Sequence, residues 1–507
     1  MISLRFFQKY WADFLAALLV LAGLGLRLRQ YLSGRSLWLD EAMLALNIVQ
    51  RDFAGLFRPL DYDQGAPIGF LLLEKLTISL LRNGELTLRL PSVIAGCLAL
   101  FFFYLLLRRS LSPAGMLPAL ALFAFSGRLI YYTSELKQYS FDVFVALALL
   151  LVFLYLVPRQ EDEQPSGCAW LLPLLLAGMA AVWFSHPSVF ALSGIGLTLL
   201  WLNRRNRRRL IQVGLVILGW LVSFGGVFLV SLNSLAANEF LMAYWQDYFM
   251  PIPFWRNLDW LPNTLAMTLS YFGLGGWPNW LTLILLLGGL LTLGRIRPSL
   301  GLIFALTLLA AFGASALGKY PLGGRMLLFV APISIGLAGA ACEGVYLVLR
   351  RIRWAAVLSV VALAYALSFQ SAAVAVENFR NPRMQENMHP ALRVLSAQYR
   401  PEDLIYVYYG GMPAFRYYAP FYGFDETQFY AGEIGYYRLL APTLADIDRL
   451  RDNSRVWILF SHVYQEDGIN EREAVLAYVD ELDMGKCKQA SREPGTSVFL
   501  YLCDFAP

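Results

Sequence analysis

Long apolar runs separated by short polar turns fill the first three quarters of the chain. They lie near 11–29, 88–107, 112–131, 138–157, 169–185, 187–202, 210–231, 277–294, 299–317, 325–349 and 354–374. A helix rises about 1.5 Å per residue, so each run is of the length that crosses a hydrocarbon core of ~30 Å. A twelfth run, 67–81, carries Glu74 and Lys75 in its middle. That suits a helix lying in the membrane interface better than one spanning it. Beyond residue 376 the pattern changes. Charges become frequent, and helix-like stretches (389–399, 443–451, 471–482) alternate with strand-like ones (403–409, 456–461, 497–503). The chain reads as a polytopic α-helical membrane domain of about eleven spans, residues 1–375, followed by a small α/β domain, residues 376–507.

Composition agrees. Of 507 residues, 58% are hydrophobic and 15% charged, with mean hydropathy +0.53. The net charge of +5 is small, and the basic residues cluster in short loops, which speaks for topology and against nucleic-acid binding. If 67–81 stays on the surface, Arg5, Lys9, Arg108, Arg109, the run Arg204 to Arg209, Arg295, Arg297 and the run Arg350 to Arg353 all share one side. The excess of positive charge on cytoplasmic loops then puts the N-terminus in the cytoplasm and the 376–507 domain outside. The first span has no small-residue cleavage pattern after it and reads as uncleaved. Cys97, Cys168 and Cys342 fall in apolar segments, whereas Cys487 and Cys503 can pair in an oxidising compartment. Gly410-Gly411 follows a strand, but no G-x-G-x-x-G or P-loop is present, so no nucleotide cofactor is expected.

With this topology the chemically suggestive residues gather on the outer face. Asp40 and Glu41 lie side by side in the first outer loop, 33–87. Carboxylates at a membrane edge are costly, and one of them can serve as a general base. A cap on the helix-like run 41–49 is the plainer role for Asp40. The turn from Tyr131 to Tyr139 brings Glu135, Lys137 and Tyr139. A lysine at headgroup level can neutralise a phosphate as a point charge. His186 precedes Pro187 at the outer end of two runs. It can bond a substrate hydroxyl or simply cap a helix. Lys319 and Arg325 flank Pro321-Leu322-Gly323-Gly324. A cation at the start of a helix opposes the helix dipole, and an anionic ligand would account for it. The tail tyrosines, among them Tyr408, Tyr409, Tyr417, Tyr418, Tyr422, Tyr436 and Tyr437, can stack on sugar rings or pack together.

These residues, in this order, resemble the C-type (GT-C) membrane glycosyltransferases, in the bacterial branch related to protein O-mannosyltransferases and the aminoarabinose transferases of lipid A. The resemblance lies in Leu37-Trp38-Leu39-Asp40-Glu41-Ala42, in Gly65-Ala66-Pro67-Ile68-Gly69-Phe70, in Arg89-Leu90-Pro91-Ser92 and in Tyr131 to Ser140. His186-Pro187 and Arg325 also match, while Lys137 stands where arginine is usual. The resemblance implies a polyprenyl-phosphate sugar donor used on the outer face of a bacterial inner or plasma membrane, with inversion at the sugar. It implies Asp40 as base, with Lys137, Lys319 and Arg325 meeting the departing lipid phosphate. The acceptor is left open as lipid, glycan or protein. Members differ in metal use, so Glu41 and Glu135 leave a divalent cation open. The contrasting reading is a lipid-binding or lipid-transporting membrane protein without transferase activity. It calls for polar groups near mid-bilayer and facing broken helices.

Overall fold

A computed structural model describes residues 2–157, 169–275, 277–432, 440–451, 453–466, 468–481, 486–492 and 497–505. Each apolar run forms helix. Among the described residues eight helices are long and apolar enough to cross a membrane. A ninth span results if Pro113–Phe125 and Gly127–Thr133, bent by 53°, count as one. The count of about eleven is reached only with Leu172–Phe184 and Ser188–Leu202, which have 13 and 15 residues. Their shortness has a local cause. Pro187 disfavours helical backbone at residue 186, and the chain leaves the helix at Ser185 with φ −152° and ψ 110°.

Contacts divide the chain into two compact units. The first comprises Met1–Leu32, Asp52–Arg82 and Arg89–Pro382. At its centre runs the buried helix Ala331–Leu349, packed against Asn279–Ile296 and Pro113–Phe125. Small residues allow the approach. A Cβ on Gly339 would sit 2.6 Å from the Gly115 carbonyl oxygen, and one on Gly115 would sit 2.7 Å from that of Gly339. Such packing holds helices together where lipid is as apolar as the side chains. At one end of Pro113–Phe125, Ser112 Oγ donates to Glu343 Oε2 at 2.5 Å. At the other, where the span bends, the carbonyls of Phe123 and Ala124 accept from the Arg27 guanidinium at 3.3 and 3.1 Å. Arg27 is buried. A charge inside a span is there to satisfy carbonyls that the broken helix leaves without partners.

The arginine clusters assemble. Arg108 pairs with Asp13 at 3.0 Å. Arg109 donates to the Leu154 carbonyl at 3.4 Å and lies 3.5 Å from the Tyr155 ring centroid. Arg297 donates to the Arg109 carbonyl. These basic residues thus share one end of the bundle. Helix Ile68–Leu81 has its polarity turned inward. Glu74 is fully buried, with neither carboxylate oxygen hydrogen-bonded among the described residues. Leu76, Leu80 and Leu81 face out, 46%, 72% and 56% exposed. Burial pushes the Glu74 carboxyl well above its ordinary value. The apolar side of this helix therefore lies on the surface of the unit and its carboxyl inside.

The second unit comprises Ser33–Arg51, Asn83–Leu88 and Arg383–Pro507. Its strands are β1 Leu404–Val407, β2 Phe429–Ala431, β3 Arg455–Phe460, β4 Gln465–Glu466, β5 Ile469–Asn470, β6 Lys486–Arg492 and β7 Phe499–Asp504. A five-stranded sheet has the order β2-β1-β3-β7-β6, and β4 and β5 form a separate hairpin. β1 runs parallel to β2 and β3, while β7 is antiparallel to both β3 and β6. β3 is buried along nearly its whole length, as a central strand covered on both faces should be. Cys487 and Cys503 lie opposite each other in β6 and β7 and form a disulfide. Cys168 lies outside the described residues. Helix Leu39–Gln50, from the first loop, packs on Met412–Tyr418. Tyr408, Tyr409, Tyr417 and Tyr418 are buried. Tyr422 bonds His389 at 2.9 Å, so packing within the unit claims most of these tyrosines. Tyr436 and Tyr437 lie outside the described residues.

Candidate active site

In the second unit the two neighbouring carboxylates have different surroundings. The helix starts at Leu39 with Trp38 as its cap, so Asp40 is not the N-cap but the second helical residue. A first-turn position suits negative charge, because the helix dipole is positive there. Glu41 is fully buried and pairs with the equally buried Arg35 at 2.8 Å. It also accepts the Trp38 N–H at 3.5 Å. A charge taken out of water in this way needs such a partner. Asp40 is only half-buried.

In the first unit the turn around residue 135 builds a polar and aromatic cluster. Glu135 is fully buried, Lys137 is buried and Tyr139 opens the helix Tyr139–Leu156. Lys137 Nζ donates to Gln64 Oε1 at 2.5 Å, and Gln138 Nε2 donates to the Gly65 carbonyl at 3.3 Å. These bonds tie the turn to the segment before helix Ile68–Leu81. The Arg325 guanidinium lies 5.7 Å from the Tyr139 ring centroid, a cation–π contact that accounts for a cation at a helix start. Its loop is shaped by glycine. Gly324 has φ +50°, and a Cβ on Gly323 would sit 2.1 Å from the Tyr248 ring. Tyr132 stacks edge-on to Tyr139 at 5.3 Å and hydrogen-bonds Tyr271. Arg128 covers Tyr271 at 4.5 Å. Burial raises the Tyr271 hydroxyl above its ordinary value, and Glu135 adds to this while Arg128 and Arg325 oppose it. Glu135 and Arg325 therefore act on one tyrosine.

His186 follows Ser185, whose Oγ donates to Asp142 Oδ1 at 2.7 Å, three residues along the helix from Tyr139. Burial lowers the imidazole to about 4, so it is neutral at physiological pH. Its Nε2 is buried with no hydrogen-bond partner among the described residues. Lys319 does not join by any contact. Its side chain is exposed and makes no hydrogen bond or ion pair among the described residues. Asp142 and Gln64 join without a signal strong enough to single them out. Asp142 sits three residues after Tyr139, on the same helical face, which is the only hint the sequence offers. Among the described residues no three His, Cys, Asp or Glu side chains are placed to hold a metal ion.

The sequence pattern of the dolichyl-phosphate-mannose-protein mannosyltransferase family matches residues 65–227. That segment contains Glu135, Lys137, Tyr139 and His186 but neither Asp40 nor Arg325. Compared by sequence with curated proteins, the chain matches none. Its fold is similar to that of ArnT from Cupriavidus metallidurans in the apo state. The TM-score is 0.55 at 14% identity, over 98% of each chain. The undecaprenyl-phosphate-bound structure of ArnT gives 0.52 at 13% identity, over 97% of this chain and 98% of that one. The archaeal oligosaccharyltransferase AglB from Archaeoglobus fulgidus, in complex with an inhibitory peptide and a dolichol-phosphate, gives 0.53 at 13% identity. There the match covers 89% of this chain and 70% of that one. The chain thus carries the sequence pattern of a mannosyltransferase family over residues 65–227, within a membrane-protein fold similar to those of ArnT and AglB.

Proposed function

We propose that the protein moves a sugar from a polyprenyl-phosphate-linked donor to an acceptor hydroxyl at the extracytoplasmic face, with inversion at the anomeric carbon. The observation that carries this reading is the cluster of buried Glu135, Lys137 and Tyr139 with half-buried Arg325 over the Tyr139 ring, two cations and an acid beside aromatic rings. Support for the donor class comes from the similar structures that hold undecaprenyl phosphate and dolichol-phosphate.

Asp40 is the general base. It takes the proton of the acceptor hydroxyl as that oxygen bonds the anomeric carbon. The bond from the sugar to phosphate breaks, and its electron pair leaves with the lipid phosphate. Lys137 and Arg325 meet the growing negative charge on that phosphate, in surroundings where water is scarce and fixed charges count for more. Glu135 keeps the two cations and their tyrosines in place. Neutral His186 offers Nε2 to a sugar hydroxyl. Lys319, being exposed, serves the approach of the anionic lipid. The basic end of the bundle faces the cytoplasm, and the disulfide-bearing unit faces the oxidising side. The test is to incubate the purified protein with a panel of polyprenyl-phosphate sugars and measure release of lipid phosphate. Release from at least one donor supports the reading. Tight donor binding with no release from any of them favours a lipid-binding protein.

A further inference from the structure

The start of the Asp40 helix is held from a distance. Glu386 lies in the stretch between the last span, Arg353–Arg380, and helix His389–Gln398. It is buried, and its Oε2 accepts the Leu39 N–H at 3.1 Å, the amide next to Asp40. The same oxygen accepts Ser461 Oγ at 3.2 Å, and Oε1 bonds His462 Nδ1 at 2.7 Å. Ser36 Oγ donates to the Glu386 carbonyl at 3.2 Å and accepts the Met388 N–H at 2.9 Å. The His462 ring also lies 6.1 Å from that of Trp38, the residue that caps the helix. A second observation concerns His462 itself. Its φ is +49°, in the left-handed region that non-glycine residues uncommonly adopt, histidine, asparagine and aspartate more often than the rest. The backbone there is fixed from the other side. A Cβ on Gly410 would lie 2.6 Å from the His462 carbonyl oxygen. Strain of this kind persists where surrounding structure over-determines it, and it collects at sites that need fixed geometry.

We infer that Glu386 and His462 are positioning residues. Together they fix the first turn of the Leu39–Gln50 helix so that Asp40 presents its carboxylate in one orientation. This rests on the reading of Asp40 as base. Neither residue transfers the proton. Their effect belongs to the rate of the chemical step, because a base misplaced by about 1 Å can lose on the order of 100-fold.

The test uses purified full-length protein carrying Glu386→Ala, Glu386→Gln, His462→Gly, His462→Asn or Asp40→Asn. Transfer kinetics, donor affinity and melting temperature are measured for each. Glu386→Ala and His462→Gly should lower kcat by about 10- to 100-fold while leaving donor KM and melting temperature near wild type. Glu386→Gln keeps an oxygen for the Leu39 amide. His462→Asn keeps a side-chain N–H and tolerates a positive φ. Both should hold kcat within a few-fold of wild type, which a merely structural loss would not predict. Wild-type kcat in Glu386→Ala and His462→Gly, alongside an inactive Asp40→Asn, overturns the positioning role alone. A loss of kcat that tracks a fall in melting temperature, unrelieved by the conservative variants, overturns it too. Full activity in Asp40→Asn overturns the reading of the base, and the positioning role with it.

Discussion

Adjacent carboxylates in one helical turn, Asp40 and Glu41, are set apart by their surroundings and should respond differently to neutralisation. Glu41 is spent on Arg35, with both side chains essentially out of water. Glu41→Gln breaks the buried Arg35–Glu41 pair, a change that typically costs about 3–5 kcal/mol. A marked drop in melting temperature is expected for that variant. Asp40→Asn should melt close to wild type, since the substitution keeps the shape of a half-buried side chain and buries no new group. His186 gives a prediction in pH. Its folded value lies near 4 and the ordinary value near 6.5. Between these values the unfolded chain binds a proton that the folded chain does not. Stability therefore falls as pH drops from about 6.5 towards 4. Melting temperatures recorded across that window should decline more steeply for wild type than for His186→Asn, and parallel slopes would remove the buried neutral imidazole from the account.

At the scale of elements, hydrophobic periodicity carries most of the information. Each apolar run becomes helix, and in the tail the helices near 389, 443 and 471 and the strands near 404, 456 and 499 appear within a few residues of their expected positions. β2 and β6 are not legible. β2 has only three residues at a sheet edge, and β6, Lys-Cys-Lys-Gln-Ala-Ser-Arg, is too polar to show a strand pattern. Burial inside spans is hidden as well. Arg27 and Asp142 interrupt apolar runs, and only tertiary structure reveals the carbonyls and the Ser185 hydroxyl that engage them. Close helix packing offers the test at this scale. Gly339→Leu places a branched side chain where even a Cβ meets the Gly115 carbonyl. Overpacking of this sort costs about 1–3 kcal/mol or more. The variant should show reduced yield of folded protein in detergent. Normal yield and melting temperature would mean that the two helices are not so close.

For the whole molecule, contacts join what sequence order separates. Read along the chain, loop 33–87 belongs with the spans. By contacts, residues 33–51 and 83–88 belong with the tail, through bonds linking residues 304 to 381 positions apart, such as Glu85 to His389, Leu39 to Glu386 and Leu37 to Tyr418. No local pattern encodes these bonds, which is why the sequence marks Asp40 but not its supports Glu386 and His462. The gathering of Arg108, Arg109 and Arg297 at one end of the bundle makes orientation testable. A single cysteine placed in the exposed part of the tail should react with a membrane-impermeant reagent in intact cells. Reaction only after lysis would reverse the proposed orientation.

Turnover by purified Asp40→Asn beside wild type decides whether Asp40 is the base. Asparagine keeps the shape of the side chain and removes its ability to take a proton. A positioned base contributes about 10²–10⁴-fold to rate. Sugar transfer should fall by that factor or more, with donor binding and melting temperature unchanged. Transfer by Asp40→Asn at the wild-type rate would contradict that role.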